Sequence, residues 1–291
     1  MNLKKKEEVL TFLRKYRKEC ATIPSIGQRD TIAGVSCILH RPSVQTVHLP
    51  MLIVLHGGSW VGGDAVVIDS LCETLADRVP AMVVNMNYTK VDEKPFPNPM
   101  EEVCSLLSYF KNHSEEFGIN SDKIAICGQS AGAHIVAGAC LMARDKGLSV
   151  TRQILVYPFV DWSGIVDNPM VEYGIVGMDY DDVLDLFFPG QDLSSAYLSP
   201  LAADEKQLKG IAAADIIVCG QDKLREHGVA YYTKLKSLGI ESTLKEYEKA
   251  IHGFLEVNRP DFIWENPGKN EEQAKYAKEC ENYIIDILKN L

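Results

Sequence analysis

Ser130, Asp222 and His252 are the residues of this 291-residue chain whose types and order point to chemistry. Ser130 stands in Gly128-Gln129-Ser130-Ala131-Gly132, after the apolar run 123–127 and before a small-residue, helix-prone stretch. Strand, G-x-S-x-G turn and helix are the context in which a serine hydroxyl is held exposed at a sharp tip. The glycines let the turn close, and the positive end of the helix dipole behind it favours developing negative charge. On its own the five-residue pattern is common, and an ordinary Gly-Ser turn explains it better. A serine is also a weak nucleophile without an adjacent base. The weight therefore falls on what lies elsewhere in the chain.

Downstream the chain supplies an acid and then a histidine. Asp222 follows the apolar run 215–219, and His252 follows the β-type run 243–247. A lone histidine after a strand is usually a plain loop residue. Serine, acid and histidine in this order, each at the C-terminal end of a strand, form a nucleophile, orienter and base. His252 would take the Ser130 proton and return it to the leaving group, while Asp222 would hold the imidazole tautomer. Oxyanion donors are expected from the backbone of Gly57 and Gly58, in His56-Gly57-Gly58-Ser59, and from Ala131. Without the other three residues, this stretch would read as a Gly-Gly turn.

The remaining candidates are weaker. His134 lies one turn beyond the serine and reads as packed or surface-exposed, and His40, His48, His113 and His227 have no partner in view. Asp179, Asp181 and Asp182 cluster, but without calcium-loop spacing, so a solvated face is expected. The sequence contains no P-loop and no dinucleotide G-x-G-x-x-G, and no cofactor is expected.

The elements that must position these residues alternate. Residues 51–55, 81–85, 123–127, 153–160, 215–219 and 243–247 read as strands, with helices near 66–78, 100–117, 131 onward, 224–238 and 271–291. Residues 32–40 and 44–48 look like an antiparallel pair at the sheet edge. Such alternation predicts an α/β fold with a mostly parallel, doubly wound sheet. One segment, 161–209, interrupts it with acidic residues among Tyr, Phe, Met and Leu, and a lid over the C-terminal sheet edge is expected there. Trp162, Tyr173, Tyr180, Phe187 and Phe188 are expected to line or cover the pocket. Residues 1–20 read as an amphipathic helix docked on its own domain.

Composition narrows the partners. Hydrophobic residues make up 46%, and the net charge is −10, which argues against nucleic acid or an anionic membrane surface. There is no 18-residue apolar run, and the N-terminus lacks the apolar core of a signal peptide. The eight cysteines are scattered and form no C-x-x-C, so reduced thiols and a cytoplasmic location are expected. A small-molecule ligand is indicated, and a homo-oligomer is compatible with the sequence.

Taken together, the motifs resemble the hormone-sensitive-lipase-like family of α/β-hydrolases, which includes bacterial acetyl esterases. The resemblance runs from about residue 49 to 254. His56 to Ser59 is similar to the family's H-G-G-G, and Asn87-Tyr88 with Pro95 to Pro99 to its D-Y-R-L-A-P-E … F-P segment. Gly128 to Gly132 matches G-D-S-A-G, and Tyr197 to Leu201 resembles a short motif before the acid strand. Asp222 to Gly228 is similar to D-P-L-R-D-E-G, and His252-Gly253-Phe254 to H-G-F. The resemblance implies an α/β-hydrolase fold in a single domain, capped by the N-terminal helix and residues 161–209. It also implies a cofactor-free serine carboxylesterase acting on short acyl esters through an acyl-enzyme. Aryl-formamidases such as kynurenine formamidase share H-G-G-x-W with His56 to Trp60, and carbohydrate acetyl esterases share the mechanism. Gibberellin receptors resemble the family without its histidine, whereas His252 is present here. Ser59, Gln129, Ala133 and Thr89-Lys90 depart from the family pattern.

Overall fold

The computed structural model describes residues 3–44, 48–167 and 180–291. Eight strands form one sheet: β1 (Gln28–Ile32), β2 (Val35–His40), β3 (Leu49–Leu55), β4 (Met82–Asn87), β5 (Ile119–Gln129), β6 (Arg152–Val156), β7 (Ala213–Cys219) and β8 (Ser242–Tyr247). Their spatial order is β1-β2-β4-β3-β5-β6-β7-β8. Strands β3 to β8 run parallel, while β1 and β2 are antiparallel at one edge.

Because successive side chains of a strand face opposite ways, each central strand feeds two cores. Met51, Ile53 and Leu55 enter one core, which is covered by α3 (Asn98–Asn112), α4 (Ala131–Asp145) and α6 (Arg225–Ser237). Leu52 and Val54 enter the other, covered by α2 (Asp69–Arg78) and α7 (Glu271–Lys289). Residues buried on both faces explain why these strands read as unbroken apolar runs. Helix α1 (Leu3–Cys20) docks through Leu10 and Leu13, both buried, and Arg14 and Arg17 pair with the buried Asp92. No helix of the described residues is long and apolar enough to cross a membrane. All eight cysteines are free and buried.

Several expectations need correction. The edge hairpin is formed by β1 and β2, not by residues 44–48. Its two-residue turn, Ala33-Gly34, has φ values of 50° and 83°, the left-handed pair that a tight hairpin requires. The first four residues of β1 are exposed and polar, so no apolar alternation announces the strand. Val44 lies in a bend and is exposed, and residues 45–47 fall outside the described residues. The helix expected over 100–117 stops at Asn112, and a separate turn, Ser114–Phe117, ends at left-handed Gly118. Strand β6 ends at Val156 rather than at residue 160, because Tyr157 turns with φ 39°.

Of the interrupting segment, α5 (Tyr180–Phe187) is described, whereas Tyr173 and Asp179 lie outside the described residues. Trp162, Phe187 and Phe188 are fully buried, packed with Trp60, Phe96 and Phe159. Asp181 is exposed as a solvated face requires, but Asp182 is buried.

Candidate active site

The parallel strands bring the three expected residues to one end of the sheet. Ser130 follows β5 directly, Asp222 lies three residues after β7, and His252 lies five after β8. Ser130 Oγ is 2.8 Å from His252 Nε2, and His252 Nδ1 is 2.6 Å from Asp222 Oδ2. The other Asp222 oxygen accepts the Leu224 N–H at 2.9 Å, so the carboxylate cannot swing away from the imidazole. Gln221 N–H donates to Ala250 O at 3.0 Å and joins the two loops that carry Asp222 and His252.

Local geometry explains how the serine is presented. Ser130 has φ 52° and ψ −116°, a conformation that a non-glycine residue keeps only when its surroundings enforce it. The Ser130 N–H donates to Val156 O at 2.9 Å, and its carbonyl accepts the His134 N–H at 3.1 Å. The flanking glycines are there for close approach. A Cβ on Gly128 would lie 2.4 Å from Gly132 C, and one on Gly132 would lie 2.4 Å from Leu55 O. Strand β3, the turn and α4 thus meet backbone to backbone.

Electrostatics suit a base at this position. Crowding around the His252 imidazole favours its neutral form, but the Asp222 hydrogen bond and charge outweigh it, and the pKa rises above 6.5. The His252 side chain keeps 39% of its surface exposed, whereas that of Asp222 keeps 5%. A proton can therefore enter and leave at the imidazole while the carboxylate stays sheltered.

The donors expected beside Ser130 divide. Gly57 N–H is already engaged, donating to Glu256 Oε1 at 3.1 Å. This differs from the expectation for Gly57, and the cause is a buried carboxylate four residues after His252. A Cβ on Gly57 would lie 2.4 Å from that same oxygen. Gly58 and Ser59 N–H groups have no backbone or side-chain acceptor among the described residues. Ala131, the first residue of α4, has an N–H beyond the reach of any intrahelical carbonyl. Ser59 takes the place of a glycine by adopting φ 51°, and Gly58 sits at φ 127° with Gly62 O at 2.5 Å from where a Cβ would be.

Neither Glu256 nor its partner Tyr157 belongs to any of the motifs of the sequence. Tyr157 Oη donates to Glu256 Oε2 at 2.7 Å, and its ring lies 5.0 Å from that of His252. Burial raises the Glu256 pKa, while the hydrogen bonds from Tyr157 and Gly57 and the nearby His252 pull it down, and the balance is upward. The sequence marks Glu256 only by its place within Phe254-Leu255-Glu256-Val257, a charge inside an apolar run.

The other histidines are structural. His134 is buried; it accepts the Trp60 indole N–H at 3.1 Å and donates from Nε2 to Leu198 O at 2.8 Å, and burial lowers its pKa to about 4. His40 pairs with buried Asp69 at 2.7 Å, and His227 packs on Phe159. His113 bonds to Tyr109 O. His48 has a left-handed φ of 58° just before β3. Both polar atoms of the Gln129 side chain are buried without a partner among the described residues. No cluster of three or more His, Cys, Asp or Glu side chains among the described residues could hold a metal.

A mostly parallel eight-stranded sheet, with a serine at a strand–turn–helix elbow and helices on both faces, defines an α/β-hydrolase fold. The family model for the alpha/beta hydrolase fold matches residues 52–256, and the chain belongs to this family, which includes the hormone-sensitive-lipase-like esterases. It is 31% identical over 222 residues to the carboxylic ester hydrolase LipN of Mycobacterium tuberculosis, covering 72% of this chain and 58% of that protein. It is 28% identical over 211 residues to an arylesterase of Saccharolobus solfataricus, covering 70% of this chain and 68% of that one. The structure of an esterase from Pyrobaculum calidifontis superposes with a TM-score of 0.78 at 28% identity, covering 97% of this chain and 92% of that one. The chain thus spans little more than half the length of LipN and about two thirds of the arylesterase.

Proposed function

We propose that this protein is a serine carboxylesterase that hydrolyses short-chain acyl esters of small molecules through an acyl-enzyme. The observation that carries this reading is the continuous relay Ser130 Oγ, His252 Nε2, His252 Nδ1, Asp222 Oδ2, with links of 2.8 and 2.6 Å. His252 removes the hydroxyl proton as Ser130 attacks the acyl carbon, and Asp222 stabilises the imidazolium formed. The imidazolium returns that proton to the leaving alcohol. Water then repeats the sequence on the acyl-enzyme, with His252 again as base. Gly58 and Ala131 N–H groups, with that of Ser59, stabilise the tetrahedral oxyanion.

Relatives named as ester hydrolases favour an ester over a formamide. Dense aromatic packing after Ser59, where buried Trp60 meets Phe159, Trp162 and Phe187, supports a short acyl chain. In this reading helix α1 and the described residues 161–167 and 180–209 contribute to a cap. In support, Leu13 of α1 lies within 3.4 Å of a Cβ built on Gly62, beside the oxyanion loop.

Hydrolysis of p-nitrophenyl acetate, butyrate, octanoate and palmitate, with Ser130→Ala in parallel, tests the reading. Rates peaking at the short esters and lost in the variant support it. A variant that keeps the parent rate sinks the nucleophile, and turnover of N-formylkynurenine alone moves the protein to the formamidases.

A further inference from the structure

Behind the oxyanion loop lies a cation that the reaction itself does not use. Lys90 is buried, and no carboxylate among the described residues pairs with it at ion-pair distance. Its three ammonium protons meet three neutral acceptors: Asn87 Oδ1 at 2.9 Å, Tyr88 O at 2.8 Å and His56 Nε2 at 3.1 Å. The ammonium also sits 4.1 Å from the centroid of the Tyr88 ring, which stacks on His56 at 4.6 Å. His56, fully buried, has its other nitrogen, Nδ1, 2.5 Å from Gly57 O.

These contacts fix a tautomer. An ammonium has no lone pair, so Nε2 of His56 must accept, and in the neutral ring the proton then resides on Nδ1. From there it donates to Gly57 O. The Gly57 carbonyl and the Gly58 N–H belong to one trans peptide and point in opposite directions. Holding the carbonyl toward His56 therefore sets the direction of the Gly58 N–H. Gly63 closes the same corner, since a Cβ there would lie 2.9 Å from His56 Nδ1 and 3.0 Å from Gly57 O.

We propose that Lys90 is a positioning residue: its ammonium fixes the Nδ1–H tautomer of His56, which pins the Gly57 carbonyl and orients the Gly58 N–H as an oxyanion donor. The proposal deepens the esterase reading and rests on the role given there to Gly58. A neutral amine would have one donor too few, and His56 would be free to move its proton to Nε2. An unprotonated Nδ1 would then face Gly57 O, lone pair against lone pair, and the peptide would turn.

Titration makes this visible. Burial is the main cause that brings Lys90 down to about 7, opposed by Asp64, Glu93 and Glu102 and assisted by Arg17. His56 also faces Lys90; its own pKa is held well below 6.5 by burial and by the Lys90 charge, so it stays neutral. Below its pKa Lys90 holds the loop; above it, the hold is lost.

The test combines kinetics with a measurement that needs no turnover. In protein labelled with 15N-histidine, two-bond proton–nitrogen spectra at about pH 6 read the tautomer of each neutral ring. The His56 signals are identified by their loss in His56→Gln. We expect the Nδ1–H form in the parent and a shift toward Nε2–H in Lys90→Met. On p-nitrophenyl acetate, Lys90→Met should lose roughly ten- to a hundredfold in kcat, with KM within about threefold. The parent rate should also fall on the alkaline side near the Lys90 pKa, and this limb should be missing in Lys90→Met.

An Nε2–H tautomer in the parent overturns the proposal, as does Lys90→Met with unchanged kcat and pH profile. The parent tautomer does not depend on Lys90→Met, so it still decides if that variant does not fold. If the parent and Ser130→Ala are equally inactive on every ester, the esterase reading fails. The tautomer then shows separately whether Lys90 governs the loop.

Discussion

Glu256 Oε1 accepts the Gly57 N–H at 3.1 Å, joining two residues 199 positions apart. The same carboxylate binds Tyr157 Oη at 2.7 Å, so one side chain ties the Gly57-Gly58 loop after β3 to the end of β6. Glu256→Ala would leave a buried N–H and a buried hydroxyl unpartnered, at a cost of about 1–3 kcal/mol for each. We expect a lower melting temperature and a reduced kcat for Glu256→Ala, with Glu256→Gln much milder because its amide oxygen can still accept. Thermal melts and ester kinetics on both variants decide. Equal losses in the two would mean that the charge, not the hydrogen bonding, matters.

Asp222 raises the His252 pKa, and the sign of the pH dependence follows. Only neutral imidazole accepts the Ser130 proton, so kcat/KM should rise with pH through a value above 6.5. Asp222→Asn removes the stabilising charge, so the acidic limb should move down in pH while kcat drops, by roughly 10⁴-fold if the tautomer is lost. A pH–rate profile of parent and variant checks both. An acidic limb that stays in place would detach Asp222 from His252.

Gly132 should not tolerate alanine. Its Cβ would stand 2.4 Å from Leu55 O and 2.7 Å from His56 O, both rigid backbone at the end of β3. The helix after Ser130 would have to shift away from the end of β3 and the Gly57-Gly58 loop. We expect Gly132→Ala to lose about 1–3 kcal/mol of stability and most of its activity. The check is denaturant unfolding beside p-nitrophenyl acetate hydrolysis. Full activity would mean that the elbow is looser than its contacts imply.

Buried histidines make the fold sensitive to mild acid. His134 and His227 titrate at about 4 when folded, each lowered mainly by burial, but near 6.5 when unfolded. Between those values the unfolded chain binds more protons, so stability falls as pH drops from about 6.5 toward 4, by an order of 3 kcal/mol for each residue. Urea unfolding across this range measures the loss. His134→Gln, which keeps a polar side chain without the titration, should flatten part of it, whereas an unchanged slope would place the protons elsewhere.

The sequence by itself determined the sharp turn around Ser130, the order of serine, acid and histidine, and the alternation that places them at strand ends. Those features are local. The close approach of Gly128 to Gly132 spans four residues, and unbroken apolar runs such as Leu52 to Leu55 report burial on both faces of a sheet. The polar edge strand β1 carried no such pattern, since its outward residues face water and nothing selects for alternation. Only the tertiary structure decided which backbone N–H groups remain available. Gly57 and Gly58 are equivalent in the motif, yet Glu256 takes the first and leaves the second. Lys90 appeared only as a departure from a family pattern until Tyr88, Asn87 and His56 closed around it. Hydrogen-bond partners are set by where separate loops converge after folding. Residues far apart in the chain carry no shared spacing, so that convergence is written in packing rather than in any motif.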